Sequence, residues 1–309
     1  MEVNTRQHDQ LLIVGGAGFI GQHVVKRALA QKFDTTVLTK NNCNTTDKLD
    51  SITYLSADIS HKASLLTQLD GKAFDYVINL GGYVNHANYS RGGNRVYDVH
   101  FNGVRNLVDC LDKSRIKSFI QIGSSDEYGN NPAPQFEAQR ESPLSSYSCA
   151  KVASTHFLQA LYKTEKFPAV ILRPFLVYGP GQGEERFIPQ IIKGCMNNQK
   201  FSTSKGEQLR DFCYIDDITD GILKAMRNNQ SNGEVINLAS GKPISVRSII
   251  EHVKNYIGKG SPNFGSIPYR IGENMSLYAD ITKAKMTIGW EPKTTIAIGI
   301  EKTVDHYKK

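Results

Sequence analysis

Tyr147 and Lys151 are the pair in this chain best suited to chemistry. In Tyr147-Ser148-Cys149-Ala150-Lys151 they stand four residues apart, on one face of a helix, so the ammonium can sit beside the phenol and favour its ionised form. A phenol with an ordinary pKa of about 10 is thereby brought toward working pH, where it can exchange a proton with a substrate oxygen. A serine pair, Ser124-Ser125, lies upstream, just after an apolar, strand-like run. Further upstream, Gly15-Gly16-Ala17-Gly18-Phe19-Ile20-Gly21 directly follows another such run. Glycines at 15, 18 and 21 let the backbone turn tightly, approach a pyrophosphate and pack a helix on a sheet, while free N–H groups and the helix dipole face the phosphates. Its place after a strand, at the start of a βαβ unit, makes this a dinucleotide-binding signal.

Positioning these groups requires a sheet. Strand-like runs at 11–15, 35–39, 52–56, 75–80, 118–123 and 169–174 alternate with helix-length segments, which predicts a parallel sheet with crossover helices. Several of the runs are apolar on both faces, as a sheet covered on each side requires. Apolar residues at three- and four-residue spacing predict helices at Phe19–Gln31, Asn94–Lys113 and Tyr147–Lys166. The expected fold class is α/β, a Rossmann-type doubly wound parallel sheet with a smaller, interleaved C-terminal lobe. After Gly179-Pro180-Gly181 the alternation fades into a helix (Ile188–Met196), a strand (Asp211–Ile215), a helix (Asp216–Arg227) and a strand (Val235–Leu238) expected to return to the main sheet. Residues 1–180, with a returning segment near 211–240, are read as the dinucleotide-binding domain, and 181–309 mainly as a substrate lobe.

The 309 residues are 39% apolar and 22% charged, which excludes disordered and disulfide-scaffold classes. Apolar stretches end far short of the roughly 18 residues a membrane span needs, and the polar first ten residues lack a secretory h-region, so a cytoplasmic location is expected. The five cysteines, Cys43, Cys110, Cys149, Cys195 and Cys213, are widely spaced without a CxxC pair. They read as reduced thiols, with no metal site indicated. The net charge of +7 is spread without basic blocks, which argues against nucleic acid and leaves a small polyanionic ligand or an ordinary solvated surface.

The glycine spacing GxxGxxG, the YxxxK pair and the preceding serine together resemble an extended short-chain dehydrogenase/reductase of the nucleotide-sugar epimerase/dehydratase/ketoreductase group. Further segments match over nearly the whole chain. Ala57-Asp58-Ile59 resembles the turn that holds adenine, Arg173–Gly181 the strand and turn leading into the sugar-nucleotide lobe, and Arg210–Asp217 the segment whose Arg meets the ligand diphosphate. Tyr278–Ile281 and Ile288–Pro292 resemble the C-terminal signature. The resemblance implies that Ser124 holds the substrate oxygen, that Tyr147 is the acid/base, and that Lys151 orients the cofactor ribose. It implies cofactor contacts at Gly15, Gly18, Phe19, Ile20, Gly21, Thr39, Lys40, Asp58, Ile59, Leu80, Gly81, Gly82 and Pro174, besides Tyr147 and Lys151. The diphosphate falls to Arg210, with Arg186 second, unless Arg210 is tied to Asp211, Asp216 or Asp217. A homodimer is expected through the helices at 94–113 and 147–166.

Departures from the group's pattern bear on the reaction. NAD-specific members end the second strand with an Asp that accepts ribose hydroxyls, whereas this chain reads Thr39-Lys40-Asn41, a hydroxyl and a cation that suit a 2′-phosphate. NADP(H) is therefore favoured, with NAD(H) the alternative. In Ser124-Ser125-Asp126-Glu127-Tyr128, Ser125 and Asp126 occupy the positions where dehydratases place Asp and Glu, so one acid is missing and the other shortened. They are retained as auxiliary candidates. His100 replaces the usual helix Asn, and Leu176 an Asn that contacts ligand. Three readings stay open: an NADPH-dependent reductase of a nucleotide-linked 4-keto sugar, an NAD-dependent epimerase or 4,6-dehydratase, and a non-catalytic nucleotide-binding protein. The last makes no use of Ser124, Tyr147 and Lys151 together.

Overall fold

The computed structural model describes residues 8–40, 51–269 and 272–308; Asn41 and Cys43 lie outside them. All six expected strands form: β1 (Gln10–Val14), β2 (Asp34–Thr39), β3 (Ile52–Ser56), β4 (Tyr76–Asn79), β5 (Ser118–Ile122) and β6 (Ala169–Pro174). With β7 (Val235–Leu238) they make one seven-stranded sheet in the order β7-β6-β5-β4-β1-β2-β3. The pairs from β6 to β3 are all parallel. Helices α1 (Phe19–Ala30), α2 (Lys62–Leu69), α3 (Gly103–Cys110) and α4 (Ser146–Glu165) supply the crossovers. They cover both faces, and Leu11–Val14, Val77, Ile78, Phe119 and Ile120 are accordingly buried. This is the doubly wound arrangement expected. Strand order reverses between β1 and β4, so a crevice opens where their C-terminal ends part.

The single helix expected at Asn94–Lys113 is not found. Short 3₁₀ turns at Tyr89–Arg91 and Gly93–Arg95 meet at Gly92, which adopts a left-handed conformation at φ +94°, and a π-helical turn follows at Asp98–Asn102 before α3. Apolar spacing does not distinguish these windings, because each keeps a similar face inward. π-turns recur at functional sites. Here the turn buries His100.

The chain folds as two compact units. The first comprises Met1–Glu127, Glu141–Arg173 and Ile222–Ile236, with a core that includes Leu12, Val77, Leu107, Phe119, Leu158 and Ile171. The chain of this unit runs to Arg173 and returns to it over Ile222–Ile236. The second unit holds Tyr128–Arg140, Pro174–Gly221 and Asn237–Lys309. It contains α5 (Phe187–Met196), the start of α6 (Ile215–Arg227), α7 (Val246–Ile257), α8 (Thr282–Ile288) and α9 (Ile296–Tyr307). Trp290, nearly fully buried, ties this unit together by donating its ring N–H to the Asp217 carbonyl at 3.0 Å. The strand expected over Asp211–Ile215 is interrupted, running at Leu209–Arg210 and again at Phe212–Tyr214. Between them Asp211 turns its buried carboxylate onto the backbone N–H groups of Ser240, Gly241 and Ala279. Among the described residues, no helix is long and apolar enough to cross a membrane. Cys110, Cys149, Cys195 and Cys213 are free thiols.

Candidate active site

The glycine loop leaves β1 and turns at Gly15, whose φ of +77° is left-handed and whose N–H donates to the Leu38 carbonyl at 2.8 Å. A side chain at Gly21 would come within 2.3 Å of the Gly15 carbonyl oxygen, so only glycine lets α1 close on the loop. Gly18 caps α1 without a side-chain hydrogen bond, leaving the first-turn N–H groups for an anion. Leu80 donates to the Val14 carbonyl at 2.9 Å, which sets Leu80-Gly81-Gly82 beside the loop at the reversal of strand order. This cradle, open in backbone N–H groups and floored by glycines, fits a dinucleotide.

At the end of β2 the buried Thr39 accepts the Ala57 N–H through its carbonyl at 2.9 Å. Lys40 extends to Asp58, with Nζ 2.8 Å from Oδ2, while the other Asp58 oxygen accepts from the N–H and hydroxyl of Ser60. Partial burial of Asp58 opposes its ionisation, but Lys40 and Ser60 prevail and bring its carboxyl down to about 2. Ile59 is buried just beyond. A cation therefore stands at the adenosine end of the cradle, with its side chain 71% exposed.

Tyr147 and Lys151 lie on the first turns of α4. Ser145 caps this helix and forms a reciprocal box with Ser148, which holds the first turn rigid. Lys151 Nζ is 5.8 Å from the Tyr147 ring centroid and donates to the Ile122 carbonyl at 2.6 Å. Burial lowers the Lys151 ammonium to about 8, partly offset by the charges of Glu127 and Asp126. Ser124 Oγ accepts the Asp126 N–H at 3.1 Å, which leaves its own proton to donate. All three expected catalytic residues thus fall in one unit with the cofactor cradle.

The acidic residues after Ser124 divide in role. Glu127 is fully buried: Oε1 accepts the Ser124 N–H at 2.9 Å, and Oε2 accepts Thr155 Oγ1 and Arg173 Nη2, each at 2.8 Å. Arg173 is also fully buried and reaches Glu141 at 2.7 Å. Glu127 is therefore a structural anion that fixes the Ser124 backbone. Ser125 is buried, and Asp126 is the half-exposed acid of the segment.

Two histidines flank Tyr147. The rings of His86 and His100 meet it edge-on, with centroids at 5.6 and 5.1 Å. His100 lies against Gly82 and bonds the Tyr83 carbonyl through Nε2 at 2.7 Å. Burial, with Lys151 adding to it, lowers His100 to about 3, so it remains neutral. His86 was not among the residues singled out from the sequence. A lone histidine in an irregular loop has no periodicity to flag it, and Asp126, 3.6 Å from its Nε2, is forty positions on.

Pro174, Arg186 and Arg210 belong to the second unit. The partners of Arg210 include Glu273, bonded by its Nη2, and the Leu209 carbonyl, to which Nη1 donates at 2.8 Å. Asp211 is held by backbone N–H groups as described, and Asp217 likewise by Lys293 and Thr294. Arg186 pairs with Glu185 at 3.4 Å on an exposed loop.

Comparison with known proteins bears on the family and the fold. Residues 11–239 match the NAD dependent epimerase/dehydratase family. A putative UDP-glucose 4-epimerase of Methanocaldococcus jannaschii is 31% identical over 96% of this chain and 98% of its own length. The dTDP-D-glucose 4,6-dehydratase of Mus musculus is 26% identical over 97% and 89%. Among solved structures, a UDP-glucose 4-epimerase of Thermotoga maritima with UDP-glucose superposes with a TM-score of 0.89 at 26% identity, covering 97% of this chain and 98% of that one.

Proposed function

Because the chain belongs to the NAD dependent epimerase/dehydratase family, we propose that it acts on a nucleotide-linked sugar as an NADPH-dependent 4-ketoreductase. The carrying observation is the acid–base inventory beside Tyr147. Elimination of water needs an acid and a base in addition to the tyrosine; here serine stands where the first acid would be, Asp126 is a shortened second acid lying 3.6 Å from His86, and Glu127 is committed to Arg173 and Thr155. Reduction needs only one proton donor. NADPH, when bound, supplies the hydride. Ser124 donates to the keto oxygen and holds it, Tyr147 passes its proton to that oxygen as it becomes an alkoxide, and the Lys151 ammonium stabilises the phenolate left behind.

Thr39 and Lys40 support NADPH, because no carboxylate ends β2 to repel a 2′-phosphate and the exposed Lys40 can turn from Asp58 toward one. Thr39→Asp is expected to move the preference from NADPH toward NADH, read as the ratio of kcat/KM for the two. A wild type that prefers NADH defeats the cofactor argument.

A second reading, an epimerase or 4,6-dehydratase that retains NAD, is favoured by the names of the relatives. Mass spectrometry of cofactor released on denaturation separates the two: little bound cofactor, or NADP, fits the reductase, and tightly held NAD fits the second reading.

Arg210 is assigned to the ligand diphosphate, since a planar fork holds phosphate oxygens bidentately and its pairing with Glu273 is one that a ligand anion could take over. Arg210→Lys should raise the KM for the sugar nucleotide strongly while NADPH binding and Tm barely change. Early melting with an unchanged KM makes the pair with Glu273 purely structural. A homodimer is also proposed, through Phe101, Ala153 and Phe157, which stay partly exposed on the π-turn and α4. A monomeric mass in light scattering overturns it.

A further inference from the structure

Resting on the reading of Tyr147 as proton donor, we propose that His86, oriented by Asp126, returns a proton from solvent to the Tyr147 phenolate after each turnover. The reduction leaves a proton deficit: a hydride and the Tyr147 proton complete the alcohol, and the phenolate must be reprotonated before the next cycle. The titratable groups packed around the phenol divide sharply in their access to water. Lys151 is buried on α4 with Nζ bonded to the Ile122 carbonyl. His100, on the π-turn, is 2% exposed, kept neutral by burial, and its Nε2 is committed to the Tyr83 carbonyl. Neither has an open face toward solvent. His86, on the loop after β4, has a side chain 52% exposed while its ring still meets Tyr147 edge-on.

Asp126 completes the arrangement from a third segment. Its Oδ2 is 3.6 Å from His86 Nε2, an ion-pair distance, and its own backbone N–H is held by Ser124 Oγ. The carboxylate stands close enough to steer the ring and supplies an opposite charge whenever the imidazole carries a proton. An imidazolium N–H then gives its proton to the phenolate oxygen, and the neutral ring takes one from water or buffer, so charge and protons balance over the cycle. Orientation of an imidazole by a carboxylate is the same device that serves hydrolytic triads.

The test uses the full-length His86→Ala variant with the member of a panel of UDP-, dTDP-, CDP- and GDP-linked 4-keto-6-deoxyhexoses that gives the fastest wild-type rate. The exposed side chain holds no core, so the variant should fold. Steady-state kcat is expected to fall roughly tenfold or more with both KM values unchanged, while the first turnover of enzyme mixed with NADPH keeps its wild-type amplitude and rate. Added imidazole should restore kcat in a saturable manner, and Tyr147→Phe should not respond to it. An unchanged kcat, or a loss accompanied by a raised sugar-nucleotide KM and no response to imidazole, overturns the proposal while leaving Tyr147 as the donor. If Tyr147→Phe turns over normally, the underlying reading falls as well.

Discussion

Tyr147→Phe is expected to lose turnover by roughly 10²–10⁴-fold while its affinity for the dinucleotide changes little. The phenolic proton is used only as the alkoxide forms, so removing it raises the barrier without altering the ground-state complex. The ring itself remains, and with it the edge-on contacts to His86 and His100 that pack the first turn of α4. A stable variant with KM values near wild type and a collapsed kcat is the signature. Near-normal turnover would show that the proton comes from another group, and the neutral His100 and the Ile122-bound Lys151 are poorly placed to provide it.

Glu127→Ala should have the largest effect on stability, a loss of about 3–5 kcal/mol. Arg173 is fully buried, and deleting the carboxylate removes one of its counter-charges, leaving Glu141 to face it. The Ser124 N–H and the Thr155 hydroxyl lose their acceptors at the same time. Chemical denaturation of the variant measures the loss directly. A change below about 1 kcal/mol together with abolished turnover would contradict the structural role and make Glu127 an acid of the reaction, which would revive the dehydratase reading.

The parts of this site that lie on one element were legible in the sequence. Tyr147 and Lys151 are four residues apart on α4, and Gly15, Gly18 and Gly21 fall on the short stretch running from the end of β1 into the first turn of α1, so local spacing carries their geometry. The partnerships that decide roles join distant segments. Whether Glu127 is a reactive acid or a buried counter-ion depends on Arg173, 46 positions away, and the fork of Arg210 is reached by Glu273, 63 positions away. His86 acquires meaning only when the loop after β4 folds against α4. The π-turn at Asp98–Asn102 escaped for a different reason: a locally widened helix keeps its apolar face, and the hydrophobic pattern is blind to the extra residue that turns His100 inward.

Net reduction of a ketone on a nucleotide-linked sugar consumes the reduced cofactor, and the absorbance of that cofactor reads it directly. Purified protein is mixed with NADPH and, one at a time, UDP-, dTDP-, CDP- and GDP-linked 4-keto-6-deoxyhexoses. One of these is expected to consume NADPH stoichiometrically, with the alcohol as product, and Tyr147→Phe to abolish the consumption. No loss of NADPH with any ketone, together with conversion of a nucleotide-linked hexose into its epimer or its 4-keto-6-deoxy product on bound NAD, would contradict the reductase reading.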